Sequence, residues 1–417
     1  MKPIALVIPW YGDQIRGGAE QECNYLAHSL KAAGVEVEVL TTCVREALDD
    51  RGVNTLEHGV HIESGIVVRR FRVRARNTDQ FAAVNMKIYN GEMVSPEEER
   101  IYFEEDINSP AMYEYIRSHK DDYRCFLFIP YMYGPTYHGS MECRENCIMI
   151  PCLHDESYAK LTLTKKMAER MKGLIFHSKP EYLLAKKLYN LRNIKAEVLG
   201  EGIDTEWHRE CNADRFRMKY GIQGEFILFA GRKDAGKKAD ELLKFFCRYI
   251  EGDFNREISL VLIGGGVIHV PPEYKDRILD LGFVSVEDKH DAFAAASFLC
   301  NPSWFESFSL VIMESWLAKR PVLVSRHCAV TTHFCLETNG GLYYEDFATF
   351  AATTDYLLDH KDIADRMGEN GFRYVRKHFT HEVIAKKYLK FIDECMNESS
   401  INNSFEIKKE TVSWNEE

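Results

Sequence analysis

The first forty residues constrain the architecture most. Ile4 to Pro9 is a short apolar run, Gly17-Gly18 is a glycine loop, and Leu26, Leu30 and Ala33 recur at helical spacing. Gly34 then ends the helix, and the β-branched Val35-Glu36-Val37-Glu38-Val39 opens a second strand that runs to Leu40. Strand, loop, helix, strand is a βαβ unit. Parallel strands need a crossover, and the crossover helix covers a sheet face, so the chain is committed to α/β architecture. The pattern continues in apolar runs at Cys125 to Ile129, Ile148 to Leu153 and Gly173 to His177, with a helix over about 160–172. After Asp204 a second set begins, at Phe226 to Phe229, Ser259 to Ile263, Phe298 to Cys300 and Pro321 to Val324, with helices between. Two sets predict two doubly wound domains, as expected of a 417-residue chain. Ligands of such sheets bind at the carboxyl ends of the strands, so a cleft between the domains is expected there.

Composition narrows the class. Hydrophobic residues make up 45% and charged residues 28%, a globular balance. The net charge of −11 argues against nucleic-acid binding by bulk attraction, so any anion site must be local. No apolar run approaches the roughly 18 residues of a membrane helix, and the opening run is too short for a signal-peptide core. A cytoplasmic protein with reduced thiols is expected, and its 12 cysteines are scattered. Cys143, Cys147, Cys152 and His154 match no common zinc spacing, and Cys152 lies in an apolar run, so they read as buried thiols. Residues 77–122 carry weak periodicity and the acidic runs 97–99 and 104–106, and read as helical and surface-exposed. The helix around 381–396 sets Val383, Ile384, Tyr388, Phe391, Ile392 and Cys395 on one face, and from Asn397 the chain is polar and aperiodic, which predicts a disordered tail.

The segment Asn301-Pro302-Ser303-Trp304-Phe305-Glu306-Ser307-Phe308-Ser309-Leu310-Val311-Ile312-Met313-Glu314 carries the chemistry. An apolar run ends at Asn-Pro, and a helix starts with Ser307 or Ser309 as N-cap, so Glu306 lies in a loop and Glu314 in the helix. Amides at a helix start attract phosphate, which places a diphosphate over Ser309 and Leu310. Glu314 lies about 7–8 Å farther along the helix and can accept the two hydroxyls of a ribose, while Glu306 approaches the transferred sugar. Two surface glutamates eight apart are otherwise common. The cations of Gly231-Arg232-Lys233-Asp234-Ala235-Gly236-Lys237-Lys238 follow a strand directly and can neutralise a leaving diphosphate; a solvated basic loop is the plainer alternative. No Asp-x-Asp occurs, which fits a site without a divalent ion.

These segments resemble the Glu-x7-Glu element and companion motifs of the family-four retaining glycosyltransferases, which have the GT-B fold. The companions are Gly17-Gly18-Ala19-Glu20, His154-Asp155, Gly202-Ile203-Asp204, Gly231-Arg232 through Lys238, Ile263-Gly264-Gly265-Gly266 and Leu281-Gly282-Phe283-Val284. The resemblance covers most of residues 1–396 and is densest between about 200 and 325. It implies an acceptor-side domain over 1–200, a nucleotide-sugar domain over 201–380, a helix at 381–396 crossing back, and a tail over 397–417. It implies further that Arg232 and Lys238 hold the phosphates, with Lys237 the adjacent competitor, and that His154 contacts the transferred sugar with Asp155 orienting it. Gly17 and Gly18 would let the backbone approach the diphosphate or acceptor, and Gly282 and Val284 would meet the base through backbone groups. Ser325-Arg326-His327-Cys328-Ala329-Val330 departs from the family pattern.

The expected activity is metal-independent, retaining transfer of a sugar from a GDP- or UDP-sugar to a hydroxyl of a glycan or lipid-linked saccharide, in cell-surface polysaccharide assembly. No cofactor or nucleic acid is expected. A sugar-nucleotide epimerase of the same fold and a silent nucleotide-sugar binding subunit are the rival readings; Gly264-Gly265-Gly266 lacks the dinucleotide fingerprint, so a nicotinamide dehydrogenase is disfavoured. Alternation in Arg70, Arg72, Arg74 and Arg76 makes one strand face basic. That face fits an anionic lipid-linked acceptor or the inner face of a membrane, and equally an edge strand protected by charge, its commoner use.

Overall fold

The computed structural model describes residues 2–12, 17–252 and 256–397. Of the tail expected over 397–417, Asn397 still belongs to the last helix and 398–417 lie outside the described residues. The first domain contributes β1 (Ile4–Val7), β2 (Val37–Thr42), β3 (Gly59–Glu63), β4 (Ile66–Phe71), β5 (Cys125–Phe128), β6 (Cys147–Met149), β7 (Gly173–Phe176) and β8 (Lys195–Val198). They form an eight-stranded sheet in the order β3-β4-β2-β1-β5-β6-β7-β8. Every pair is parallel except the hairpin β3–β4. The second domain contributes β9 (Glu225–Ala230), β10 (Ile258–Ile263), β11 (Ile278–Gly282), β12 (Phe298–Asn301), β13 (Val322–Ser325) and β14 (Gly341–Tyr344), wholly parallel in the order β11-β10-β9-β12-β13-β14. Central strands such as Cys125–Phe128 and Phe298–Asn301 are buried throughout, because helices cover both faces of each sheet. The division expected after residue 200 falls in the connection between β8 and β9.

Three sequence expectations are corrected. The basic face does not exist as a continuous free surface: β4 stops at Phe71, β3 pairs along it, so β4 is no edge, and of the four arginines Arg72 alone is exposed. Arg70 is buried, pairs with Glu63 and donates to the Tyr11 carbonyl at 3.0 Å. Arg74 binds Glu105 at 3.1 Å, and Arg76 binds Asp50 at 3.0 Å. Period-two spacing located the arginines but not their acidic partners, which come from distant segments. Second, residues 77–122 are helical, at Thr78–Tyr89, Pro96–Glu105 and Pro110–His119, but not merely surface. Val84, Ile88, Tyr102, Phe103, Met112 and Ile116 are buried, and of the acidic runs Glu99 and Asp106 are buried too, Glu99 accepting from the Thr162 and Leu163 amides and Asp106 pairing with Arg51. Third, β6 ends at Met149, and Ile150 to Leu153 continue as a buried loop.

The final helix, His381–Asn397, returns to the first domain. Its His381 meets Ser29 at 2.8 Å, and Glu394 pairs with Lys195 at 2.6 Å. Gly173 leaves room for it: a Cβ there would lie 2.8 Å from Cys395 Sγ and 2.9 Å from the Phe391 ring.

Close packing of the second domain gives a stability test. Gly371, in the helix Lys361–His378, sits where a Cβ would come 2.1 Å from Cγ of the buried Trp316. Gly371→Ala is expected to lower unfolding stability by about 1–3 kcal/mol through overpacking. Gly18→Ala, where nothing lies within 4 Å of the added carbon, should be neutral or stabilise by up to about 1 kcal/mol. Urea midpoints of both variants check the contrast.

Candidate functional site

The strand β12 ends at Asn301, whose buried side chain shapes the loop after it. Its carbonyl accepts from the Ser303 amide at 3.0 Å, and its amide donates to Ser309 Oγ at 2.9 Å. Both ends of the intervening loop are thereby tied to one residue. Ser309 stands at the helix start with φ 81°, a left-handed conformation costly for a non-glycine residue. Of the two serines expected as N-cap it is Ser309 that takes the position, but its side chain makes no capping bond and accepts from Asn301 instead. Leu310–Leu317 is the helix, with Leu310 half-buried at its first position.

Both glutamates carry a cation. Glu306 accepts from Lys237 Nζ at 2.7 Å, and Glu314, in the second helical turn and buried, accepts from Lys289 Nζ at 2.5 Å. Lys289, on the helix Val286–Ala295, escaped the sequence reading because only the fold brings it to Glu314.

The cationic loop after β9 is held from below. Lys233 is buried and donates to the Gly264 carbonyl at 2.6 Å and to Asp280 at 2.8 Å. Among the loop cations it is thus a structural tie, a role that sequence alone did not separate from its neighbours. Gly264 and Gly266 have φ of 117° and 93°, and a Cβ on Gly264 would lie 2.1 Å from the Gly231 carbonyl, so these glycines allow two strand-end loops to touch. Lys238 starts the helix Ala239–Glu251 in a left-handed conformation, and its Nζ lies 3.9 Å above the Trp304 ring. Arg232 is largely exposed, with Asp234 at 3.3 Å.

The first domain supplies the opposite wall. Gly17 precedes the helix Gly18–Ala32, and a Cβ on it would fall 1.8 Å from the Glu20 carboxylate, which Trp10 Nε1 donates to. Burial pushes the Glu20 carboxyl up, while the Trp10 bond and, more weakly, the charge of Arg232 in the other domain pull it down. His154 lies 6.1 Å, ring to ring, from Phe305, next to Glu306. Its Nδ1 is 3.4 Å from Glu156, which also accepts from Tyr131 at 3.0 Å. Asp155 turns away to Lys160 at 2.8 Å. The carboxylate beside the His154 ring is therefore that of Glu156, not Asp155.

Below this wall lies a buried polar cluster. Glu181 accepts from the backbone amides of Leu153 at 2.7 Å and His177 at 2.6 Å, tying together the segments after β6 and β7. His177 contacts Glu22; burial alone would lower its imidazole, but Glu22 and Glu181 hold it up to about 10. Burial pushes the Glu201 carboxyl well above the carboxylate range, with Glu22 adding to it.

At the outer end of the second sheet, Gly282 has φ 62° and its carbonyl accepts from Gly264 N at 2.7 Å, while Val284 is half-buried against the core. Phe283 between them is 62% exposed.

Comparison with known proteins places this geometry. The arrangement is the GT-B fold: sucrose-phosphate synthase from Thermosynechococcus elongatus superposes with a TM-score of 0.69 at 17% identity, covering 94% of this chain and 99% of that one. Anabaena HepE in complex with UDP-glucose superposes with a TM-score of 0.68 at 13% identity, covering 94% and 100%. Residues 224–360, most of the second domain, match the family model described as Glycosyl transferases group 1. Among curated relatives, D-inositol 3-phosphate glycosyltransferase of Corynebacterium efficiens is 24% identical over 239 residues, 53% of this chain and 56% of that protein. Alpha-D-kanosaminyltransferase of Streptomyces kanamyceticus is 23% identical over 222 residues, 51% and 54%. The chain thus spans about half the length of the curated relatives it matches. Its sequence relatives are glycosyltransferases. No helix among the described residues is long and apolar enough to cross a membrane.

One histidine beside the site gives a pH prediction. His290 stacks on Trp207 with rings 4.0 Å apart. Burial, then Lys289, pushes it down to about 4, against the pull of Glu314, Asp204 and Asp291. A base whose folded value lies below its unfolded one favours the fold above the unfolded value, near 6.5, and that contribution is lost as pH falls toward 4. His290→Phe keeps a ring on Trp207 and is expected to remove roughly 1–2 kcal/mol of the stability lost over this window, a figure reduced for partial exposure. Denaturant titrations at intervals through the window read it out, and equal acid limbs in both proteins would refute the assignment.

Proposed function

We propose that this chain is a retaining glycosyltransferase that moves a sugar from a nucleotide-sugar donor, of the GDP or UDP class, to a hydroxyl of a glycan or lipid-linked saccharide, in cell-surface polysaccharide or glycoconjugate synthesis. The observation that carries the reading is the pairing of Glu306 with Lys237 and of Glu314 with Lys289, on a loop and helix facing His154 across the cleft. The fold shared with HepE, which binds UDP-glucose, and the match of residues 224–360 support a nucleotide-sugar donor.

In this reading the donor diphosphate lies over Ser309 and Leu310, with Arg232 and Lys238 opposing its charge as the bond to the sugar breaks. Lys237 and Lys289 exchange their carboxylates for phosphate oxygens or hold the glutamates toward the sugar and ribose. Glu314 accepts the ribose hydroxyls. Glu306 and His154 flank the transferred sugar, where a carboxylate gains value as positive charge grows at the anomeric carbon. Gly17 and Gly18 border the diphosphate or the acceptor, and Gly282 and Val284 the base. The cations do the work that a divalent ion does in other transferases, so millimolar magnesium is expected to leave the donor Kd unchanged.

Three measurements test this. Glu314→Gln should weaken binding of the bare nucleoside diphosphate and of the sugar nucleotide alike, since both contain ribose. Glu306→Gln should spare the diphosphate and lower kcat, by roughly 10²–10³-fold by analogy with lost oxyanion donors. Calorimetry with UDP, GDP and their sugar conjugates decides; equal loss of diphosphate affinity in both variants contradicts the assigned roles. Finally, incubating a donor panel with and without saccharide acceptors should give acceptor-dependent product, whereas isomerised donor without acceptor would identify an epimerase.

A further inference from the structure

The cluster beneath the first-domain wall contains more donors than the proposed transfer uses. Glu22 comes from the helix Gly18–Ala32, Cys152 from the loop after β6, His177 from the residue after β7, and Glu201 from the segment after β8. Two adjacent strand ends and the first crossover helix thus converge on one point. We propose that Glu22, Cys152 and His177, with the Glu201 carboxyl beside them, form a binding site for a divalent transition-metal ion of the zinc class.

The donor set and its geometry argue for this. Thiolate, imidazole and carboxylate are the three ligand types zinc takes. The ligand atoms of Glu22, Cys152 and His177 all lie within 4.8 Å of one another. Cys152 Sγ is 3.4 Å from Glu22 Oε2, close to the edge of about 3.5 Å that a tetrahedron has with bonds of about 2.3 Å to sulfur and 2.0–2.2 Å to oxygen. His177 Nε2 contacts the other Glu22 oxygen, and small side-chain rotations open that contact for an ion. Cys152 has φ 52°, so a non-glycine residue is held in a costly conformation that brings its sulfur to Glu22.

Two buried polar atoms remain unmatched there. Glu201 is 6% exposed, and its Oε1 has no hydrogen-bond partner, although the carboxyl feels the charges of both Glu22 and His177. His177 is 2% exposed; its Nδ1 also lacks a hydrogen bond and faces Glu181 Oε2 at 3.8 Å, the outer carboxylate that orients metal-bound imidazoles. A thiolate and an imidazole select a borderline-soft metal over magnesium or calcium. The site is separate from the diphosphate cations, so it can be present while donor binding stays independent of magnesium.

Cobalt(II) is the probe, since a bound thiolate gives it a near-ultraviolet charge-transfer band. The full chain dialysed against cobalt(II) at about 100 µM is expected to retain about one ion and to show that band. Cys152→Ser should abolish the band and weaken retention at least roughly 100-fold, while Cys247→Ser, at a half-buried cysteine of the second domain, should change neither. Should the Cys152 variant not fold, Glu201→Gln serves instead: the band is expected to persist with affinity lowered roughly tenfold. A wild-type chain that takes up no cobalt, a band that survives Cys152→Ser, or unchanged affinity in Glu201→Gln overturns the proposal and leaves a hydrogen-bonded ion cluster.

Discussion

Phe308 and Phe379 meet edge-on with ring centroids 4.9 Å apart, and the arrangement of the cleft depends on that contact. Phe308 lies between Glu306 and Ser309, in the loop that carries the proposed sugar and phosphate contacts. Phe379 ends the helix Lys361–His378, and its carbonyl accepts from Ile203 N at 2.9 Å at the junction between domains. Phe308 also reaches His177 of the first domain at 6.2 Å, and Phe379 packs on Phe334 and Tyr374. Gly200 makes room: with φ 84° it places the backbone where any Cβ would strike the Phe379 ring at 2.3 Å. One aromatic contact therefore joins the glutamate loop, the interdomain connection and the first-domain wall, so a change in domain angle is felt at the loop directly.

Electrostatics give that geometry its selectivity. The chain carries a net charge of −11, yet cations gather on the loop after β9 and at Lys289 of the helix Val286–Ala295, and Arg232, Lys237 and Lys289 each face a carboxylate. Such pairs satisfy both partners without ligand. Under the proposed function a diphosphate competes with the carboxylates for the same lysines, and the released carboxylates become acceptors for sugar and ribose hydroxyls. Exchange of partners costs less than creating a bare cation, because neither state leaves a half-buried charge unmatched.

Periodicity made the two sheets legible, because continuous apolar runs separated by helical spacing admit few other solutions. The strands β3, β8 and β14 were less visible, whereas β4 was read but carried too far, past Phe71: β3 is half-exposed, and β8 alternates Lys195-Ala196-Glu197-Val198 at a sheet edge, so neither has the apolar signature of a buried strand. Local spacing also misled where the partner is remote. The arginines near 70 looked like an open basic face because Glu63, Asp50 and Glu105 cannot be assigned to them from sequence. Asp155 seemed the natural companion of His154 by adjacency, whereas neighbours in an extended loop point apart and Glu156 reaches back. Lys289 and the cluster of Glu22, Cys152 and His177 were invisible for the same reason: their residues are far apart in the chain and carry no motif.

The glycines separate structural need from room kept for a ligand. Gly264 and Gly341 are fixed by the fold, since a Cβ on either would lie about 2 Å from a backbone oxygen, at 2.1 and 2.2 Å. Gly17 is needed for the Glu20 carboxylate that folds over it. Gly18 meets no such demand: it is exposed, nothing lies within 4 Å of an added carbon, and its φ is not one that excludes other residues. Glycine at the start of a helix lowers stability relative to alanine without any gain in packing. Under the proposed function, close approach of a phosphate or an acceptor to this backbone supplies the missing reason, which makes Gly18 the position where stability and ligand affinity should move in opposite directions on replacement by alanine.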